Sequence, residues 1–216
     1  MPASPNSPNS GRFLSQWYDG NMRNILAVIA GLISIIATLP YIRDTLKGKT
    51  HPNIVTWLTW GLLSGITAVA ALSGGANQTA IFAGALALCN IGIVIAGLRY
   101  GVKRYTRFDI VCQILAIVGV VLWRVTNDPA LAVLFNIISD LIGALPTYRH
   151  IWRKPREETL TTFIVATGSS VLVIISLARF DFISFAYPFY ILASCLSFAL
   201  LIVYSRRKFA LNASDE

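Results

Sequence analysis

Charge is scarce in this chain. Lys, Arg, Asp and Glu make up 13% of its 216 residues, where a soluble domain carries about 25%. That shortage excludes an ordinary water-facing surface. With 55% hydrophobic residues, it points to an all-α polytopic membrane protein. Cysteine is equally sparse. Cys89, Cys112 and Cys195 each fall inside an apolar run and are odd in number, so they read as small hydrophobes rather than a disulfide framework. The two histidines, His51 and His150, sit at loop edges with no nucleophile or ligand pattern around them. Neither an enzyme centre nor a metal or other cofactor is expected. Residues 1–23, rich in Pro, Ser and Asn at their start, hold no apolar core of a signal peptide. They read as a disordered or interfacial tail, in which Phe13, Trp17 and Tyr18 suit a membrane surface.

Long hydrophobic runs are what the chain does have. A bilayer core requires about 20 apolar residues of helix. Seven runs approach that length, at 24–46, 53–73, 78–99, 108–124, 129–151, 160–178 and 182–204, with 108–124 the weakest because it is short and contains Gln113. Fourteen of the 18 basic residues fall on one side of these spans: Arg43, Lys47 and Lys49; Arg99, Lys103, Arg104 and Arg107; Arg149, Arg153, Lys154 and Arg156; Arg206, Arg207 and Lys208. The other side holds Arg12, Arg23, Arg124 and Arg179. The excess of basic residues in cytosolic loops places the C-terminus inside and the N-terminus outside, an orientation that requires an odd number of spans. The same distribution explains the net charge of +8 without a nucleic-acid partner. The expected location is the cell (inner) membrane.

An offset of 106 residues lays the chain on itself. "ATLPYIRDTLKGKTHPNIVTW" falls over "GALPTYRHIWRKPREETLTTF", pairing Pro40 with Pro146, Leu39 with Leu145, Arg43 with Arg149, Lys47 with Arg153 and Thr56 with Thr162. Cys89 falls on Cys195 at the same offset. Self-similarity over three helices predicts two units in the same orientation. The expected organisation is a tail at 1–23, a first triple-helix bundle at 24–99, a linker helix at 100–128, a second bundle at 129–205 and a cytosolic tail at 206–216.

A Leu-Pro pair followed by a basic loop, at the cytosolic end of spans one and five, resembles the PQ-loop superfamily. That group includes SWEET sugar transporters, cystinosin-like exporters and the KDEL receptor. The glutamine of the family motif is Tyr41 in the first copy and Thr147 in the second, and span six holds no proline. The resemblance therefore extends to the superfamily and not to its sugar branch. It implies a 3+1+3 arrangement, alternating access between the two bundles, and hinges at Pro40 and Pro146. A proline inside a helix removes a backbone hydrogen bond, so a static kink near the interface is the plainer account of each.

Of ten acidic residues only Asp140 lies deep within a span. A charge at the bilayer centre costs at least ~3 kcal/mol on insertion scales, and a carboxyl there suits either a coupling proton or a cation. A structural hydrogen bond is the alternative. Asn136, one turn away on the same face, would share that site. Asn90 resembles the substrate-binding asparagine of SWEET-like third helices, though an interhelical hydrogen bond would also account for it. Trp57 and Trp60 open span two on one face, where they suit an aromatic belt or, for Trp60, stacking on a ligand. Ser170, with Thr167 and Ser169, adds hydroxyls from span six. Tyr187 and Tyr190 could line a cavity or anchor at an interface. The expected partners are a small-molecule substrate, protons as a coupling ion, and membrane lipids. The expected function is transport of a small polar solute, with a non-transporting receptor or scaffold resembling the KDEL receptor as the alternative. A retinal protein is disfavoured because 182–204 contains no lysine.

Overall fold

A computed structural model of the chain describes residues 8–48, 52, 54–101, 107–153, 155 and 160–212; the side chains of 8–18, 108, 146, 150 and 209–212 lie outside that description. Lys49, His51, Lys103, Arg104, Lys154 and Arg156, and the side chains of Phe13, Trp17, Tyr18, Pro146 and His150, therefore fall outside it.

The described chain is all helix: α1 (Pro8–Leu46), α2 (Ile54–Ser73), α3 (Asn77–Gly97), α4 (Arg107–Thr126), α5 (Pro129–Arg153), α6 (Leu160–Ser176) and α7 (Phe182–Asn212). Six are long and apolar enough to cross a membrane, the composition of a multi-pass membrane protein. In lipid each backbone N–H and C=O must be satisfied within its own segment, which leaves helix as the available form for these runs. Two boundaries differ from expectation by more than two residues, the start of α1 and the end of α7, which runs on to Asn212 through most of the expected tail at 206–216. Run 108–124, expected to be the weakest, lies within the 20-residue α4. The short helix is instead α6, with 17 residues, about 25 Å at 1.5 Å per residue. Helix α1 starts at Pro8 rather than near residue 24; proline is well tolerated at the first helical position, and the next one comes only at Pro40. Its apolar span is Asp19–Leu46.

Local signals set the ends of the helices. Helix α2 stops in a Schellman motif, in which Ala76 donates to Ala71 O at 2.8 Å and Gly75 donates to Leu72 O at 3.0 Å. Gly75 takes φ +73°, a conformation that costs glycine little and L side chains more. Helix α5 opens with Asp128 accepting from the Ala130 N–H at 2.9 Å, and Pro129 in the first helical position. Helix α7 opens the same way, with Asp181 Oδ1 accepting from the Ser184 N–H at 2.9 Å. That bond, with Arg179 Nε 3.1 Å from Asp181 Oδ2, holds the Asp181 carboxyl below its ordinary value of 3.8. A carboxyl with a depressed folded-state pKa stabilises fully above its unfolded value and loses that contribution as pH falls through the folded one. Asp181→Ala should therefore cost about 1 kcal/mol near pH 7. The gap between the two proteins' melting temperatures should close once pH falls well below 3.8; a gap that persists unchanged at low pH would show that the cap is not the cause.

Packing follows a simple order. Helix α3 lies against both α1 and α2, and α7 lies against both α5 and α6. The two groups meet through α1 on α6 and α2 on α5, while α4 packs mainly on α5 and to a lesser extent on α2. Small residues allow these approaches. A Cβ at Gly31 would lie 2.9 Å from Ala85 Cβ, and one at Gly119 would lie 2.6 Å from Phe135 Cβ. The interior contains Ala27, Ala30, Ala70, Ala83 and Ala132 together with buried Ser34, Thr67, Thr79, Ser139 and Ser169. Large apolar side chains such as Leu32, Ile36, Leu62, Leu88, Ile117 and Ile175 are exposed. A bilayer reverses the soluble pattern in this way, because lipid tails solvate leucine as well as a core does.

Candidate functional site

Trp57, Trp60, Ser64 and Thr67 are three or four residues apart along α2, so they form one stripe on that helix. At one end of the stripe Tyr41 of α1 packs on Trp57 with ring centroids 5.3 Å apart, and Trp57 meets Trp60 edge-on at 5.2 Å. Further along, Trp60 Nε1 lies 3.3 Å from where a Cβ of Gly143 would sit, so the indole rests on the bare backbone of α5. Ser64 shares a hydrogen bond with the Tyr187 hydroxyl of α7 at 3.1 Å. At the far end Asn136 Nδ2 donates to Leu63 O and to Thr67 Oγ1, both at 3.2 Å.

The contacts of Trp60 with Gly143 and of Thr67 with Asn136 run antiparallel and bracket Asp140 on α5 and Ser64 on α2. Asp140 is partly buried. The Asp140 charge acts on titratable groups of two further helices, Cys112 of α4 and Tyr187, Tyr190 and Cys195 of α7, and of these the Tyr190 hydroxyl is its side-chain partner. Among the described residues no Lys, Arg or His pairs with it. Cys112 Sγ donates to Ser139 O at 2.9 Å, which ties α4 to α5 one residue before Asp140.

Two polar atoms at this level are buried without a hydrogen-bond partner: Asn136 Oδ1 and the Tyr190 hydroxyl, the latter facing Asp140. The orientation of the Asn136 amide follows from its neighbours. Leu63 O can only accept, so the nitrogen must face it and the free atom must be the oxygen. Asn136 is 1% exposed. An unsatisfied buried acceptor costs about 1–3 kcal/mol. Its presence on the same helix face as a carboxyl with no cationic partner marks the α2–α5–α7 junction as the candidate site.

The remaining expected residues lie elsewhere. Asn90 of α3 is partly buried and packs against Gly61 of α2, where a Cβ would be 3.4 Å from Asn90 Cβ. Ser170 is fully buried, with its hydroxyl given to Ala166 O of its own helix at 2.8 Å. Its neighbour Ser169 forms the opposite seam, donating to Ala30 O at 2.6 Å and sharing a bond with Ser34 Oγ at 2.7 Å. No hydrogen bond joins Asn90 or Ser170 to Asp140. Pro40 lies inside α1, and the helical backbone of α5 likewise continues through position 146. Ser64 and Thr67 carry no mark in the sequence reading, and Cys112 reads there as a small hydrophobe. The stripe that continues the tryptophans at helical spacing was the available signal for the first two. Among the described residues no group of three His, Cys, Asp or Glu could hold a metal ion. No family model, curated protein or solved structure matches the chain.

Proposed function

We propose that the protein transports a small polar solute by alternating access between two three-helix units, α1–α3 and α5–α7, with α4 as the linker. The observation that carries this reading is the junction at Asp140. A carboxyl with no cationic partner, a free amide oxygen and the Tyr190 phenol beside that carboxyl meet where α2 of one unit packs on α5 and α7 of the other. Transport by rocking requires a site on such a seam, because the seam is what opens.

The contacts also speak for a parallel repeat. Asn136 of α5 donates to Leu63 O of α2, and Ser169 of α6 donates to Ala30 O of α1. The offset of 106 that aligns Pro40 with Pro146 carries Ala30 onto Asn136 and Leu63 onto Ser169. Both seams are therefore bonded at matched positions, by a different donor in each. In this reading Pro40 and Pro146 let the ends of α1 and α5 bend beside the basic loops. The basic residues put those loops in the cytosol of a cell membrane, with the N-terminus outside. Asp140 takes a coupling proton, and Asn136, Trp60 and Trp57 border the path.

A thermal-shift screen of metabolites at two pH values would identify a ligand, because binding to the folded state stabilises it. The reading expects that ligand to accumulate in proteoliposomes under an imposed pH gradient. Tight binding without flux would instead favour a receptor.

A further inference from the structure

Resting on the transport reading, we infer that the Asp140 site takes a monovalent organic cation with N–H donors and exchanges it for one proton. The free atoms of the site define the ligand. Asn136 Oδ1 is an acceptor with no donor, and a carboxylate is acceptor only. A neutral polyol could satisfy Asn136 but would leave the carboxylate charge uncompensated at bilayer depth. A guanidinium or ammonium group satisfies both, since it brings positive charge and several N–H donors together. The aromatic surroundings fit a cation as well: Trp60 lies against Gly143, one turn beyond Asp140, and Tyr187 and Tyr190 face it from α7.

The exchange follows from charge balance. With a proton bound, Asp140 is neutral and leaves no bare charge in the seam. With a monocation bound, the site is again neutral and the N–H groups supply the donors. The empty carboxylate is the one state that leaves a bare charge in the seam, so it is disfavoured from rearranging. Each cycle then breaks one carboxyl O–H bond, releases that proton on one side and takes up one cation; the return reverses this, with no net charge moved. The titratable groups facing Asp140 are Cys112 from α4 and Tyr187, Tyr190 and Cys195 from α7, with Asp109 next along α4. The α2 stripe that faces α5 contributes Trp57, Trp60, Ser64 and Thr67, none of which titrates near neutrality. None of these groups supplies a resident cation to compete with the ligand.

The test uses the full chain in proteoliposomes with a luminal pH dye and isotopically labelled probes, the potential clamped by potassium and valinomycin at zero or at a value of either sign. The probes are guanidinium, tetramethylammonium and urea. An inward guanidinium gradient should alkalinise the lumen and should do so equally at clamped potentials of either sign. Tetramethylammonium, which has no N–H, and urea, which has the shape without the charge, should give no signal. Asp140→Asn should abolish the response while Asp140→Glu retains part of it, both eluting as a single species in size exclusion. Guanidinium flux that carries current would overturn the exchange. Equal movement of tetramethylammonium would overturn the N–H requirement. Asp140-dependent flux of urea without guanidinium would overturn the cation class while leaving transport in place. Absence of flux for all three probes and for every ligand from a thermal-shift screen would overturn both readings.

Discussion

Asparagine in place of Asp140 is expected to abolish pH-driven solute flux and, in the same protein, to raise the melting temperature. The two signs come from one cause. A carboxyl without a cationic partner among the described residues costs the folded bundle stability whenever it is charged. The amide has the same shape and carries no charge. A gain of about 1 kcal/mol would raise the melting temperature by about 2–4 °C in a chain of this size. The variant cannot release or bind a proton, so flux coupled to a pH gradient should fall to the level of empty liposomes. A structural ion pair predicts the reverse, since removing one partner of a buried pair destabilises by about 3–5 kcal/mol. Melting curves and uptake measured on the same preparation decide between them. A protein that melts lower and transports normally would remove Asp140 from the mechanism.

A large effect on folding is expected at Gly119. A Cβ there would lie 2.6 Å from Phe135 Cβ and 3.6 Å from Ala132 Cα, with α4 pressed onto α5. One of the two is a backbone atom and the other the root of its side chain, so neither can swing aside. Gly119→Ala should destabilise by about 1–3 kcal/mol, and Gly119→Leu by more, through forced separation of the two helices. Gly84→Ala supplies the control, because nothing lies within 4 Å of a Cβ at that position. There alanine's better helix propensity, worth up to about 1 kcal/mol, should leave the protein unchanged or slightly more stable. Equal melting temperatures for the two alanine variants would mean that the α4–α5 approach is not close in the folded protein.

Much of the helix pattern was legible because lipid allows a long apolar run few other forms. The runs at 53–73, 78–99 and 129–151 fall within two residues of α2, α3 and α5. Boundaries failed where the deciding forces are weak. Nothing in residues 8–23 forbids helix, and the polar composition that suggests a disordered tail carries little information about backbone conformation. Within the site, Asp140 and Asn136 were legible because buried charge is rare and i, i+4 spacing fixes a shared face. Tyr187 and Tyr190 were not, since the rotation of α7 decides whether a tyrosine points to lipid or to the bundle, and neighbouring helices set that rotation. Asn90 shows the same limit from the other side. Its depth along α3 was readable from its position in the run, but its packing against Gly61 depends on where α2 lies.

At the end of the bundle away from the basic loops, beside the side-chain pair Gln78–Asn24, three donors reach for main chain: Arg23 to Leu177 O, Arg179 to Gly74 O at 2.9 Å, and Thr79 to Ser184 O. Every residue type presents a carbonyl, so the accepting positions can change identity without losing the bond. A substitution scan across this end should therefore be lopsided: silent in its hydrogen bonds at Leu177 and Ser184, and sensitive at Arg23, Arg179 and Thr79. Selection acting on these three bonds would likewise leave its mark on one partner of each pair alone, and a search for co-varying residue pairs would pass over them.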